Sequence, residues 1–166
     1  MMRPLLLLDV DGVLNPYPPD PPAGFTDHYL FPGEEPVRVN PEHGLWLTEA
    51  SKVVDLAWAS SWNNEANQFL APLLHIAALP VITMPQGPFD PSEKVPRIAA
   101  YARDRPAAWI DDIHTPHAHR WAADRAAPTL LITADPMVGL TRESIDRVIA
   151  WATEQRVPSR QPRWQR

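Results

Sequence analysis

The chain has no cysteine, so disulfides and thiolate metal sites are excluded. Lysine is nearly absent as well, with Lys52 and Lys94 the only two. No apolar run approaches a membrane span, and the leucines near the start lack the length and small-residue cleavage site of a secretion signal. These absences point to a cytoplasmic protein with no membrane partner. Positive charge is scarce and unevenly placed. The formal net charge is -5, yet Arg156, Arg160, Arg163 and Arg166 all fall in a terminal stretch without an acid, so the remainder is more acidic still. Such a body does not bind nucleic acid through general charge. It does suit a cation site built from carboxylates.

At 166 residues one domain is expected, over 1–155, followed by a basic tail at 156–166 that reads as disordered. A chain of this size buries roughly 70% of its unfolded surface and needs no staple.

The chain is organised around Leu5-Leu6-Leu7-Leu8-Asp9-Val10-Asp11-Gly12-Val13-Leu14-Asn15. A short run of leucines reads as a strand buried on both faces. Asp9 and Asp11 follow it two apart, a spacing that turns both carboxylates to one side of an extended segment. Gly12 lets the backbone turn away at once. A solvated turn and a calcium loop of the EF-hand type compete with a catalytic reading. The calcium loop wants its glycine sixth and a helix in front. Here the glycine is fourth and a strand precedes it.

Residues 15–41 are rich in proline and contain a small hairpin, Phe25–Phe31 against Val37–Val39, taken as a flap over the site or else an ordered surface loop. Asn40-Pro41 is a helix start, with Leu45, Trp46, Glu49 and Val53 at helical spacing. A strand is expected over 54–59, a helix over 62–76 and a strand over 79–83. A helix follows from about 93 to 103, a strand over 107–110, a helix over 115–125, a strand over 129–133 and a closing helix over 142–153. Strands alternating with helices mean a three-layer, Rossmann-like α/β fold, a parallel sheet covered on both faces.

Reactive groups then stand at strand ends or helix mouths: Asp9 and Asp11, Ser60 and Ser61, Lys94, and Asp111 with Asp112. Parallel strands would bring them to one edge of the sheet. Carboxylates from two strands can hold Mg2+, which takes one or two of them plus water and substrate phosphate. A hydroxyl and backbone N–H groups can cradle phosphate oxygens. A lysine neutralises developing charge, and a free carboxylate can attack phosphorus to form an aspartyl-phosphate.

In these motifs the sequence resembles the haloacid dehalogenase-like (HAD) superfamily. The residues Asp9-Val10-Asp11-Gly12-Val13-Leu14 match its first motif. Ala57-Trp58-Ala59-Ser60-Ser61-Trp62 resembles the second, Lys94 the third, and Trp109-Ile110-Asp111-Asp112 the fourth. The order and spacing agree over about 4–155. The resemblance implies a Mg2+-dependent phosphatase. Asp9 would be the nucleophile, and Asp11 the acid for the leaving group and then the base for water. Ser60 would hold a phosphoryl oxygen and Lys94 would steady the phosphoaspartate. Asp111 would ligate Mg2+ beside Asp9 and the Asp11 backbone carbonyl, with Asp112 a further ligand or its supporting partner. Gly12, Ser61, Trp62 and Asn63 would meet substrate. Ser61 is an alternative phosphate contact, although it also fits as the cap of the helix opening at Trp62.

Larger members of that superfamily insert a domain between motifs, and here only the flap and elements the sheet needs fill the gaps. The site should be open to a bulky phosphorylated substrate, a nucleic-acid end or a protein. The stretch Trp58–Asn63 with Ala66-Asn67 also looks like the HAD domain of bacterial RNA-repair proteins. Two non-enzymatic readings compete: a phospho-switch of the receiver type, and a silent partner-binding domain. Receivers place their acidic pair first and the acceptor later, the reverse of the order here. His114, His117 and His119 are spaced so that the first two share a helix side and the third does not, which favours a solvent-facing or substrate-lining role over zinc.

Overall fold

A computed structural model describes residues 2–17 and 22–156. Its centre is β1, Leu5–Leu8, in which every side chain is fully buried. Four leucines suffice because parallel neighbours flank the strand on both sides. β1 pairs with β4 (Asp55–Trp58) on one side and β5 (Ala107–Asp111) on the other, and β6 (Thr129–Thr133) pairs with β5, all parallel. The order is β4-β1-β5-β6. Register aligns Leu8 with Trp58 and with Ile110, so three strands end at the same edge of the sheet.

Alternation along β1 divides the core. Leu6 and Leu8 join Trp58, Ile110 and the apolar faces of α1 (Pro41–Ala50), α2 (Ala71–Leu74) and α5 (Arg142–Arg156). Leu5 and Leu7 join Trp109 and the faces of α3 (Lys94–Ala102) and α4 (Pro116–Asp124). Truncating one of these leucines to alanine costs roughly 2–5 kcal/mol. The result is the expected α/β architecture, a parallel sheet with helices on both faces. No helix among the described residues is long and apolar enough to cross a membrane. The expected tail lies outside the described residues except for Arg156, which ends α5.

The flap hairpin forms as β2 (Thr26–His28) antiparallel to β3 (Val37–Val39). Helix α1 starts at the expected cap, where the Asn40 side chain accepts the Glu42 N–H at 3.0 Å. His43, Gly44, Leu47 and Ala50 point inward, and Leu45 is 71% exposed. The reason is the close approach of α2: a Cβ on Gly44 would lie 1.8 Å from the Leu74 carbonyl oxygen. The missing side chain at Gly44 permits that approach.

Two expected elements differ. The strand over 79–83 reduces to one parallel bridge, Trp58 with Val81. Pro80 has no N–H to give a ladder, and only Trp58 N–H to Pro80 O and Ile82 N–H to Trp58 O form, each 2.9 Å. The helix over 62–76 is broken. Residues 61–64 make turns, Ala66–Leu70 form a π-helix, and α2 follows. Pro72 cannot donate to the preceding turn, and a wider turn ahead of it accommodates the loss.

Candidate active site

Asp9 leaves β1 with its N–H bonded to Ile110 O at 3.0 Å. Three successive N–H groups, from Val13, Leu14 and Asn15, then converge on the Val10 carbonyl, closing a tight turn. Gly12 sits in it at φ +79°, and a Cβ there would lie 2.5 Å from Asp112 Oδ2. The glycine therefore makes room for the carboxylate arriving from β5.

Lys94 opens α3. A 3-10 turn, Pro91–Glu93, precedes it, capped by Asp90, whose carboxylate accepts the Ser92 N–H at 2.8 Å while Glu93 reaches back to the Asp90 N–H at 2.9 Å. This capping box fixes the helix mouth. The buried Lys94 Nζ lies 2.7 Å from Asp111 Oδ2, 3.2 Å from Asp9 Oδ1 and 3.1 Å from Ala59 O. One ammonium thus bridges two strand ends and touches a third. Asp111 also accepts the Trp109 indole N–H at 3.2 Å and the Ile113 N–H at 3.1 Å.

These contacts order the charges. Burial works against the Lys94 ammonium, but the Asp9 and Asp111 carboxylates outweigh it and raise its pKa. Burial also opposes ionisation of Asp111, and there Lys94 and the hydrogen bonds prevail, holding it below the usual carboxylate range. Asp9 is pushed well up, by burial first and by the Asp111 charge second. Burial and its bond and proximity to Asp111 bring Asp112 up to about 6. Burial and the charges of Asp112, Asp11, Asp9 and Asp111 move Tyr17 up to about 12.

Carboxylate oxygens of Asp9, Asp111 and Asp112 lie within 4.8 Å of one another. Three carboxylates against one ammonium leave an excess of negative charge in a largely buried space. A hard divalent cation with oxygen ligands fits that donor set.

Two adjoining cavities meet here. One, of about 540 Å³, contains Asp9, Asp11, Lys94, Asp111 and Asp112. The other, of about 780 Å³, lies between the flap and the residues after β4, among them Phe31, Arg38 and Trp62. Asp11, Tyr17 and Ser61 line both.

The Asp11 carboxylate lies outside the acidic trio and is held by Asn15 Nδ2 and Trp62 Nε1, each at 3.0 Å. Ser60 is buried, and its Oγ accepts the Trp62 N–H at 3.2 Å. The capping contact expected of Ser61 is therefore made by Ser60, and Ser61 faces the cavities. Asn63, at φ 49°, joins its side chain to Met84: Oδ1 accepts the Met84 N–H at 2.7 Å and Nδ2 donates to its carbonyl at 3.3 Å. It lines neither cavity. Trp62 lines the larger one, whereas Trp58 and Trp109 are core.

His114 precedes α4 instead of sharing a helix side with His117. Its Nδ1 lies 2.8 Å from Thr133 Oγ1, and its ring stands edge-on to Trp109 and 6.2 Å from His119. Burial lowers its pKa to about 4. The sequence reading missed Asn15, Tyr17, Phe31 and Arg38. Only Asn15 carried a signal, being an amide within the first motif's own turn.

The model of the family described as "HAD domain in Swiss Army Knife RNA repair proteins" matches residues 5–145. Among solved structures, a hypothetical protein from Xanthomonas campestris is 15% identical, covering 93% of this chain and 85% of that one, with a TM-score of 0.47. The 3-deoxy-D-manno-octulosonate 8-phosphate phosphatase from Yersinia pestis is 20% identical, covering 93% and 83%, with a TM-score of 0.44. No curated protein sequence matches the chain. The acidic motif after β1, the lysine opening α3 and the acids ending β5 lie within the matched span, and the chain belongs to the HAD domain family of Swiss Army Knife RNA repair proteins.

Proposed function

We propose that the chain is a Mg2+-dependent phosphomonoester hydrolase acting through a phosphoaspartate on Asp9. The observation that carries this reading is the convergence of Asp9, Asp111 and Lys94, with Nζ within 3.2 Å of both carboxylates. Mg2+ would be held by Asp9 and Asp111, with Asp112 and the Asp11 carbonyl nearby. When bound it supplies positive charge beside the phosphoryl oxygens.

In the first step an Asp9 carboxylate oxygen bonds to phosphorus as the bond from phosphorus to the leaving oxygen breaks. That oxygen takes its proton from Asp11. In the second step Asp11, now a carboxylate, removes a proton from water as the water oxygen bonds to phosphorus. The Asp9–phosphorus bond breaks and inorganic phosphate leaves. Splitting the transfer gives two lower barriers in place of one. Lys94 neutralises charge on the phosphoaspartate. Ser60 Oγ accepts one bond and would keep its own proton for a phosphoryl oxygen, while Ser61, which lines both cavities where Ser60 lines neither, offers the alternative hydroxyl.

The leaving group would extend into the 780 Å³ cleft beyond Asp11. The family's description and this open cleft support a phosphorylated nucleic-acid end as substrate. Glu34, Glu35 and Glu65 along the cleft favour contact limited to the end.

The test is hydrolysis of an aryl phosphate with Mg2+ by wild type, Asp9→Asn, Ser60→Ala and Ser61→Ala. Phosphorylated oligoribonucleotides and phosphopeptides are then compared as substrates. Turnover abolished by Asp9→Asn and by chelator supports the reading. Stable labelling by a small phosphodonor without turnover would replace it with a phospho-switch. A folded, inert chain would replace it with a partner-binding domain.

A further inference from the structure

Asp11 stands at the doorway between the two cavities, and its carboxylate is held at both oxygens. The Trp62 indole N–H donates to Oδ2 and the Asn15 amide donates to Oδ1, each at 3.0 Å. Both donors are tied to the flap. The Asn15 Oδ1 accepts the N–H of Arg38, in β3, at 2.9 Å. The Trp62 ring meets Phe31 edge-on at 5.5 Å, and Phe31 meets Phe69 in the same manner at 5.3 Å. An aromatic chain therefore runs from the residues after β4, through the flap, to the carboxylate.

We infer that Trp62 and Asn15 are positioning residues for proton transfer at Asp11, and that the seated flap sets the aim of this carboxylate toward the leaving oxygen. The inference rests on the phosphatase reading. Each carboxylate oxygen has a second lone-pair position. The two N–H donors occupy one on each oxygen and leave the other for the travelling proton. With both oxygens engaged, the carboxylate cannot rotate freely, and it is held where the two cavities meet. Proton transfer depends on this alignment more than on contact strength. The proton moves from Asp11 to the leaving oxygen as the phosphorus–oxygen bond breaks. An ester with a poor leaving group needs that proton, whereas a nitrophenolate leaves without it.

The experiment compares kcat/KM for a simple alkyl phosphate and for nitrophenyl phosphate, a ratio that isolates the proton given to the leaving group. Wild type, Trp62→Phe, Asn15→Ala and Asp11→Asn are measured with Mg2+. Trp62→Phe removes the indole donor and keeps a ring against Phe31. Asn15→Ala tests the other oxygen independently. Each should lower the alkyl-to-aryl ratio by about tenfold, and Asp11→Asn by more. The indole proton resonance of Trp62 should also move in Asp11→Ala. An equal fall on both esters, an unchanged ratio in both variants, or an unmoved indole resonance would overturn the positioning role. A ratio that Asp11→Asn leaves unchanged would also overturn it by removing the acid role of Asp11, whereas an inactive wild type would instead remove the phosphatase reading beneath it.

Discussion

Replacing Lys94 with methionine tests the charge balance of the site without any substrate. The substitution keeps most of the unbranched side chain and removes its charged end. Asp9 and Asp111 are then left 6% and 2% exposed with no cation between them. Breaking a buried ion pair by removing one partner costs about 3–5 kcal/mol, because a charge stays behind without compensation. For a domain of this size that is a fall in Tm of about 10 °C. The loss should also depend on pH. Asp9 is already held above the usual range by burial, and without the ammonium burial raises Asp111 above its unfolded pKa as well. Such a group costs stability above its folded pKa and recovers it as pH falls and the proton returns. The variant should therefore recover stability relative to wild type as pH falls from neutral into the acid range. Urea unfolding at a series of pH values, with chelator present, measures this. A loss below about 1 kcal/mol at pH 7, or a deficit independent of pH, would show that the ammonium is not compensating buried charge.

Three further outcomes are expected. Gly12→Ala places a methyl group 2.5 Å from Asp112 Oδ2 at φ +79°, and should cost about 1–3 kcal/mol in thermal unfolding while displacing Asp112. Asn40→Ala removes the cap of α1 and should lower stability by about 1 kcal/mol in denaturant titration, with turnover retained. His43 is buried between Phe25 and Trp46, and burial lowers its pKa to about 4 from 6.5. The unfolded chain then binds the extra proton between those values. Its contribution is complete above pH 6.5 and falls by up to about 3 kcal/mol toward pH 4, so His43→Leu should flatten the stability profile across that window.

How far the sequence could be read depended on what each residue does. Leu5–Leu8 was legible because a strand buried on both faces has an apolar run as its signature. Asn40-Pro41 was legible because a cap acts through its own backbone neighbours. The inward face of α1 was not legible, since its close approach to α2 is made at Gly44, whose value lies in lacking a side chain. The strand over 79–83 failed on Pro80, and the helix over 62–76 on Pro72 and on the tie from Asn63 to Met84. In the site, Asp9, Lys94 and Asp111 stood out because parallel strands bring their ends together whatever the loops do. Tyr17, Phe31 and Arg38 join the second cavity only through the path of the flap, which no local pattern records.

The rarity of lysine has a practical consequence for handling the protein. Lys94 is buried and ion-paired, so its nitrogen has no lone pair to offer an acylating reagent. Lys52 is exposed and lies just before β4, at the end of the sheet away from the acidic trio. Among the side chains, amine coupling should therefore select Lys52. A dye or bead attached there would leave the cleft facing outward, ready for single-molecule or surface-based measurement.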